Sequence, residues 1–163
     1  MRRFGTLAAV ALLASCSPKP KPPEPAPFNT AIPINEVMAH VMDPAADAFW
    51  GGMGTSYTVA GERDLSPTTE AEWKRVEDGA ATVVLATNSL MVPGYQRAPI
   101  ADWNRHAKGV ADVALRAKAA VEKKDMVAMM EIGDELDRAC EACHKQFSPA
   151  IAKPYVAPAG PTK

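Results

Sequence analysis

The stretch RACEACHKQF places Cys140, Cys143 and His144 within five residues near the end of the 163-residue chain. Thiols and an imidazole at this spacing can serve three kinds of chemistry: a zinc site, a dithiol redox pair or the covalent attachment of haem. The chain has one further cysteine, Cys16. The surrounding sequence therefore has to decide which of the three applies.

The zinc and dithiol interpretations lack the residues and the local structure that they need. A structural zinc site takes four ligands, usually from two cysteine or histidine pairs. This chain offers one such pair, the adjacent histidine and two distant histidines, His40 and His106. A reactive dithiol normally lies where a strand turns into a helix, because the helix N-terminus lowers the thiol pKa. Cys140 instead follows a long helical pattern, and both interpretations are disfavoured.

The pattern C-x-x-C-H is the attachment signature of c-type haem. Two thiols three residues apart on a helix can each add to one vinyl group of the same porphyrin edge. The residue that follows then directs its imidazole at the iron. We therefore expect Cys140 and Cys143 to carry one covalent haem c, and His144 to be the proximal ligand of its iron.

The N-terminal segment has the anatomy of a secretory signal peptide. Arg2 and Arg3 precede an apolar run over residues 4–13, which is about half of the roughly 20 residues needed to span a bilayer. The sequence LASC then ends at Cys16 and resembles the bacterial lipobox, in which the cysteine becomes the lipidated first residue. We expect a lipoprotein signal peptide over residues 1–15 and a periplasmic protein anchored to a membrane through Cys16. An ordinary signal cut near Ser15, which leaves a free thiol, is the alternative.

The rest of the chain divides by composition into a linker, one domain and a tail. Proline crowds the stretch SPKPKPPEPAPFN, so residues 16–30 are expected to form an extended polyproline spacer. Residues 31–150 are the length of one ordinary domain, and a proline-rich tail follows over residues 151–163. Without Arg2 and Arg3 the chain has 16 basic and 19 acidic side chains, which argues against nucleic acid as a partner.

Within the domain, four stretches carry apolar residues at helical spacing, and little of it is typical of strands. Mostly short connections between four amphipathic faces predict an all-α fold, an antiparallel four-helix bundle. The predicted helices run from about Pro33 to Trp50, from between Pro67 and Glu70 to Pro93, from about Asp102 to Lys123, and from the cap at Asp125 to about Phe147.

Local signals refine these boundaries. Pro44 interrupts the first helix, so we expect a kink or a restart there, with Asp43 capping the new turn. Residues 51–66 are glycine-rich and predict a loop, with at most a short extended piece over residues 57–60. The second helix begins either with Ser66 as the N-cap or with a capping box formed by Thr69 and Glu72.

With CEACH in its last predicted helix, the chain resembles the class II c-type cytochromes, the cytochrome c prime family of four-helix haem proteins. The resemblance covers about residues 34–147. The runs VMAHVMDPAADAFW and SPTTEAEW are also similar to bacterial members whose sixth iron ligand is methionine. The resemblance implies that Cys140 and Cys143 are thioether attachment points and that His144 is the proximal ligand. It also implies pairing as a homodimer.

Electron transfer is the function that these features predict best. A haem held by two thioethers and a histidine in an apolar bundle keeps its geometry when the iron changes oxidation state. The sequence contains no pattern of catalytic residues, so we expect a carrier that works with periplasmic redox proteins and is not an enzyme. Two alternatives stay open: binding of nitric oxide or carbon monoxide at a five-coordinate iron, and service as a haem subunit of a larger redox complex.

The sixth iron ligand distinguishes these functions, and we expect it on the inner stripe of the first helix. At about 100° per residue, Met38 lies roughly 40–50° from the centre of that stripe, and Met42 lies nearly twice as far from it. Met38 is therefore the predicted sixth ligand, with Met42 and an open site as alternatives. His40 falls on the solvent face, and His106 is expected to be a polar packing residue or a neighbour of the haem edge. The expected stripe consists of Ile34, Val37, Val41, Ala45 and Ala48.

Overall fold

The computed structural model describes residues 28–150. The predicted signal peptide, the lipidated Cys16, most of the proline-rich linker and the tail over residues 151–163 lie outside the described residues. Within residues 28–150 the chain is mostly helical, as the sequence predicts, with four helical stretches and one small β-hairpin. None of the helices in this part of the chain is long and apolar enough to cross a membrane.

The first helical stretch consists of three pieces that follow one another without a break. These are α1 (Ile34–Val37), a π-helical segment (Met38–Met42) and α2 (Asp43–Trp50). Asp43 donates its backbone N–H to the carbonyl of Met38, five residues earlier. The prediction of a restart capped by Asp43 is therefore wrong, because Asp43 has helical dihedral angles and its side chain makes no capping hydrogen bond.

Pro44 accounts for the π-helical segment. A proline inside a helix lacks an N–H, and its ring crowds the carbonyl four residues earlier. A wider π turn just before the proline takes up this conflict, so the helix stays continuous. The turn also changes which side chains face the core. Val41, which the sequence places in the middle of the inner stripe, is 40 % exposed, whereas Met42 is only 7 % exposed. The predicted stripe is therefore wrong at these two positions.

A β-hairpin occupies much of the segment that the sequence predicts as a loop. Strands β1 (Thr55–Thr58) and β2 (Gly61–Asp64) pair antiparallel, with Thr55 opposite Asp64 and Thr58 opposite Gly61. Gly61 has a φ of +119°, a conformation that glycine adopts at little cost. Nearly every residue of the hairpin is exposed. The strands therefore lack the alternation of buried and exposed residues from which a strand can be predicted.

The other three helices begin and end close to their predicted boundaries. They are α3 (Glu70–Leu90), α4 (Ile100–Glu122) and α5 (Met126–Phe147). Thr69 and Glu72 form the capping box of α3, and Asp125 caps α5 by accepting a hydrogen bond of 3.0 Å from the backbone of Ala128. Hydrogen bonds from Thr68 and Thr69 to the carboxylate lower the pKa of Glu72 to about 2.

Contacts at opposite ends of the helices show that neighbouring helices run antiparallel. The end of α3 meets the start of α4, where the indole of Trp103 donates to the carbonyl of Leu90 at 2.7 Å. Towards the other end, Lys118 of α4 pairs with Glu77 of α3 at 2.9 Å. Between α4 and α5, His106 lies 2.9 Å from Gln146, at the start of one helix and the end of the other.

Small residues set the closest approach between the first helical stretch and α3. Gly79 is buried, and a Cβ atom built there would lie 2.6 Å from the carbonyl oxygen of Ala45 and 2.8 Å from the backbone nitrogen of Phe49. Because backbone atoms on both helices meet at this point, neither side can yield without moving a helix. Phe49 itself is fully buried beside this contact.

Alanine substitutions at two helical glycines test this packing. Gly79→Ala is expected to destabilise the fold by about 1–3 kcal/mol, because the added methyl group overpacks a rigid contact. Gly109→Ala on α4 is the matched control, since a Cβ atom there meets nothing within 4 Å. The control should stabilise the fold by about 1 kcal/mol through helix propensity alone. Urea unfolding followed by circular dichroism measures both, and equal effects of the two substitutions would contradict this account.

Candidate functional site

An apolar cavity of about 430 Å³ lies between the first helical stretch and the C-terminal half of α5. All four helical stretches contribute to its walls, whose surface is mostly apolar. The lining residues are Met38, Met42, Asp43, Ala46 and Trp50 from the first stretch, Thr87 and Leu90 from α3, Ala107 and Val110 from α4, and Asp137, Cys140, Glu141, Cys143 and His144 from α5.

The three residues of the C-x-x-C-H motif lie together on this cavity. Cys140, Cys143 and His144 are three and four residues apart on a regular α-helix, so they share the face that looks into the cavity. Each of the three is half-buried. Both cysteines are free thiols.

Burial keeps both cysteines in the thiol form at neutral pH. Desolvation raises the pKa of Cys140 to about 11, and the neighbouring carboxylates Asp137 and Asp43 and the second thiol add to this effect. Desolvation also raises the pKa of Cys143. A thiolate is the reactive form of cysteine. The pair therefore does not have the lowered pKa that a dithiol oxidoreductase uses.

Packing of the residues after the motif holds the last turn of α5 in place. The ring of Phe147 lies edge-on against Trp103, with 5.0 Å between the ring centroids, and also meets His106 edge-on. Arg97 donates to the carbonyl of Phe147 at 3.3 Å. His106 is thus a polar packing residue of α4 that does not line the cavity, which is one of the two roles predicted for it.

The first helical stretch supplies the wall opposite the motif. Met38 and Met42 both line the cavity, Met42 buried in the core and Met38 half-buried against it. His40, between them in sequence, is exposed and lies in a different, outer groove with Val41. Met38 therefore lies where its predicted role needs it, and Met42 shares that position although the α-helical spacing placed it further from the centre.

Trp50, which lines the cavity, ties the first helical stretch to α5. The indole of Trp50 donates to the carbonyl of Gly133 at 3.3 Å. A Cβ atom at position 133 would lie 3.4 Å from that indole and 3.2 Å from the sulfur of Met53. A side chain there would therefore require the flexible Met53 side chain to shift by a few tenths of an ångström.

The cavity wall presents no unpaired buried polar group. Thr87 is the one buried polar side chain among residues 28–150, and its hydroxyl donates to the carbonyl of Val83 at 2.6 Å. In the same part of the chain, every buried side-chain nitrogen or oxygen has a hydrogen-bond partner. The polar residues on the cavity are instead the exposed carboxylates Asp43, Asp137 and Glu141, so the interior is apolar and the mouth is acidic.

The donor set of the cavity fits a haem and does not form a cluster of metal ligands. Its volume lies within the roughly 300–1,000 Å³ of typical ligand sites, and two thiols, an imidazole and two thioethers face it. Across residues 28–150, no three side chains of the types His, Cys, Asp and Glu converge as a site for a metal ion. A haem iron is held by the porphyrin and needs only one or two protein ligands.

Comparisons with protein-family models, with curated proteins and with solved structures find no significant match to this chain. The resemblance to class II c-type cytochromes therefore stays a prediction from the residues of the sequence.

Sequence reasoning missed several residues that shape the site. Thr87 and Leu90 lie near the end of α3, and Ala107 and Val110 lie near the start of α4. Their places on the cavity follow from how these helices cross α5. Trp50 carried a signal that could have been used, since a large aromatic residue on one helix and a small residue, Gly133, on the stripe of another often pack against each other.

A thiol titration tests the environment of Cys140. In the haem-free Cys143→Ser variant, alkylation of Cys140 by iodoacetamide should keep accelerating with pH up to about 11, because burial holds its pKa near that value. In urea the same rate should level off about two pH units lower, near the ordinary pKa of 9.0 of an unburied thiol. Circular dichroism identifies the folded sample. Identical profiles with and without urea, on a sample shown to be helical, would contradict the burial of this thiol.

Proposed function

We propose that this chain is a mono-haem c-type cytochrome of the class II kind, a four-helix bundle that transfers electrons in the periplasm while tethered to a membrane. The observation that supports this most directly is the meeting of the complete C-x-x-C-H motif with an apolar cavity that two methionines face from the opposite helix. A covalent haem needs just these groups: two thiols, a proximal imidazole and an apolar space.

Each residue of the motif has a separate role in this proposal. When a haem is bound, Cys140 and Cys143 would hold its edge against α5 through thioether bonds. The imidazole of His144, which lines the same cavity, would serve as the proximal ligand of the iron. When bound, the haem supplies the one-electron couple of its iron, and no residue of the chain is assigned a catalytic role.

The walls of the cavity provide the conditions that electron transfer requires. Ala46, Leu90 and Val110 exclude water, and Thr87 uses its only hydrogen on the backbone of its own helix. Low polarity and burial are two of the factors by which a protein sets the potential of a haem. The hydrogen bond from Trp50 to the carbonyl of Gly133 ties the first helical stretch to α5, which helps the protein groups around the iron to keep their positions when its charge changes.

Met38 is the proposed sixth ligand of the iron. It lines the cavity from the helix opposite His144, and the family members that the first helix resembles use a methionine there. A thioether opposite a histidine raises the potential and closes the iron to gases, which suits a carrier. Binding of nitric oxide or carbon monoxide by an open iron is the competing function, and the test described below separates the two.

The mouth of the cavity indicates which redox proteins could be partners. Asp43 and Asp137 make no ion pair in the described part of the chain, while Glu141 pairs with Lys145 at 2.8 Å. The mouth therefore carries net negative charge, which favours a partner whose docking face is basic. Such a partner would approach the haem edge over the shortest distance.

Covalent haem attachment is the central prediction. The mature protein, made with a haem-maturation system, should gain the mass of one haem per chain and keep its colour through acid–acetone extraction. Cys140→Ala or Cys143→Ala should leave a single thioether.

The reduced wild type should be low-spin and should respond little to carbon monoxide. A mass equal to the bare polypeptide would overturn the whole proposal, whereas a high-spin protein that binds carbon monoxide tightly would favour the gas-binding function.

Membrane attachment is a second prediction and concerns residues outside the described part of the chain. Cys16→Ser should release the protein into the soluble periplasmic fraction, because lipidation requires the thiol of that residue. The haem content should not change, since the anchor and the bundle are separated by the proline-rich linker. Fractionation of cells with and without the substitution measures this. A wild type that is already in the soluble fraction would contradict the lipid anchor and leave the haem site unaffected.

A further inference from the structure

The π-helical segment Met38–Met42 changes which side chains of the first helical stretch face the cavity. Residues of an α-helix advance by about 100° each, and on that spacing Met42 is turned away from the inner stripe. A π-helix has more residues per turn, so each residue advances by less. Over five residues the difference rotates Met42 inward and Val41 outward, as their exposures of 7 % and 40 % show.

As a result, the thioether side chains of Met38 and Met42, one turn apart, line the same cavity as His144. Met42 is buried in the core, and Met38 packs against it half-buried. Methionine is unbranched and has three rotatable side-chain bonds. Two methionines one turn apart on the same wall can therefore direct their sulfur atoms to one point in the cavity. The usual role of a methionine at such a position is to fill the core, and the experiment has to exclude that role.

We infer that Met42 is a second iron ligand, which replaces Met38 when that side chain is absent, and that the π turn before Pro44 holds Met42 within reach. The inference rests on the proposed function, because it needs the haem in the cavity. Its consequence is redundancy: the loss of one thioether leaves the iron six-coordinate and closed to gases. A chain whose first helix were α-helical throughout would have Met38 alone on the inner face.

Substitution of the methionines, singly and together, tests the redundancy in the haem-loaded protein. The readouts are the near-infrared absorption of the oxidised iron–thioether bond and the affinity of the reduced protein for carbon monoxide. Met38→Ala and Met42→Ala should each keep the absorption band and the weak affinity of the wild type. The double variant should lose the band and bind carbon monoxide about a hundredfold more tightly. This factor is expected if the thioether ligand of the wild type leaves the iron open only about 1 % of the time.

A matched control and a second background make the test specific. Met130→Ala, an exposed methionine of α5 outside the cavity, should change neither readout. Pro44→Ala removes the ring that the π turn accommodates, so the helix can return to α-helical spacing and turn Met42 away. In that background Met38→Ala alone should open the iron as fully as the double variant does.

Each outcome decides the inference. A Met38→Ala protein that binds carbon monoxide as tightly as the double variant would show that Met42 is core filler and would overturn the inference. A closed iron in the Pro44→Ala, Met38→Ala protein would overturn the role of the π turn. Failure of the proposed function looks different: the wild type would lack covalent haem, or it would already bind carbon monoxide as tightly as the double variant. The mass of every variant shows whether haem is attached.

Discussion

The contact between Trp50 and Gly133 joins the two helical stretches that carry the site. The indole donates to the backbone carbonyl of Gly133 at 3.3 Å and lies 3.4 Å from where a Cβ atom at that position would be. Trp50 also lines the cavity, together with Met38 and Met42 from its own helical stretch and with the C-x-x-C-H motif of α5. The same side chain therefore links the two helical stretches and forms part of the wall between them.

The polar groups around the cavity are arranged so that its interior needs no water. Thr87 is satisfied by its own helix, and the carboxylates stay at the mouth, where solvent reaches them. The same arrangement raises the pKa of both thiols, because an apolar cavity disfavours the thiolate. In the proposed function, the two cysteines attach a haem in this apolar space. The site is poorly suited to thiol chemistry that would require a thiolate at neutral pH.

Much of the fold could be read from the sequence because the signals are local. The capping box at Thr69 and the N-cap at Asp125 depend on residues three positions apart, and both helices begin where these signals place them. The hairpin could not be read in this way. Its strands are only four residues long and are exposed to solvent on both faces, so no alternation of buried and exposed residues indicates them in the sequence. The predicted inner stripe of the first helix is wrong at Val41 and Met42 for a different reason. The prediction assumed the same angle per residue along the whole helix, and the π-helical segment does not have it.

By itself, the sequence determined the spacing of Cys140, Cys143 and His144, the helix that carries them and the face that they share, because three and four residues make one turn of an α-helix. The sequence also predicted that the first helix faces them, but the tertiary structure decided which of its side chains line the cavity. Pro44 made disruption of the first helix predictable, but not its form, a π turn in place of a break. That turn brings Met42 beside Met38 in the cavity, and no pattern based on a constant angle per residue could have placed it there.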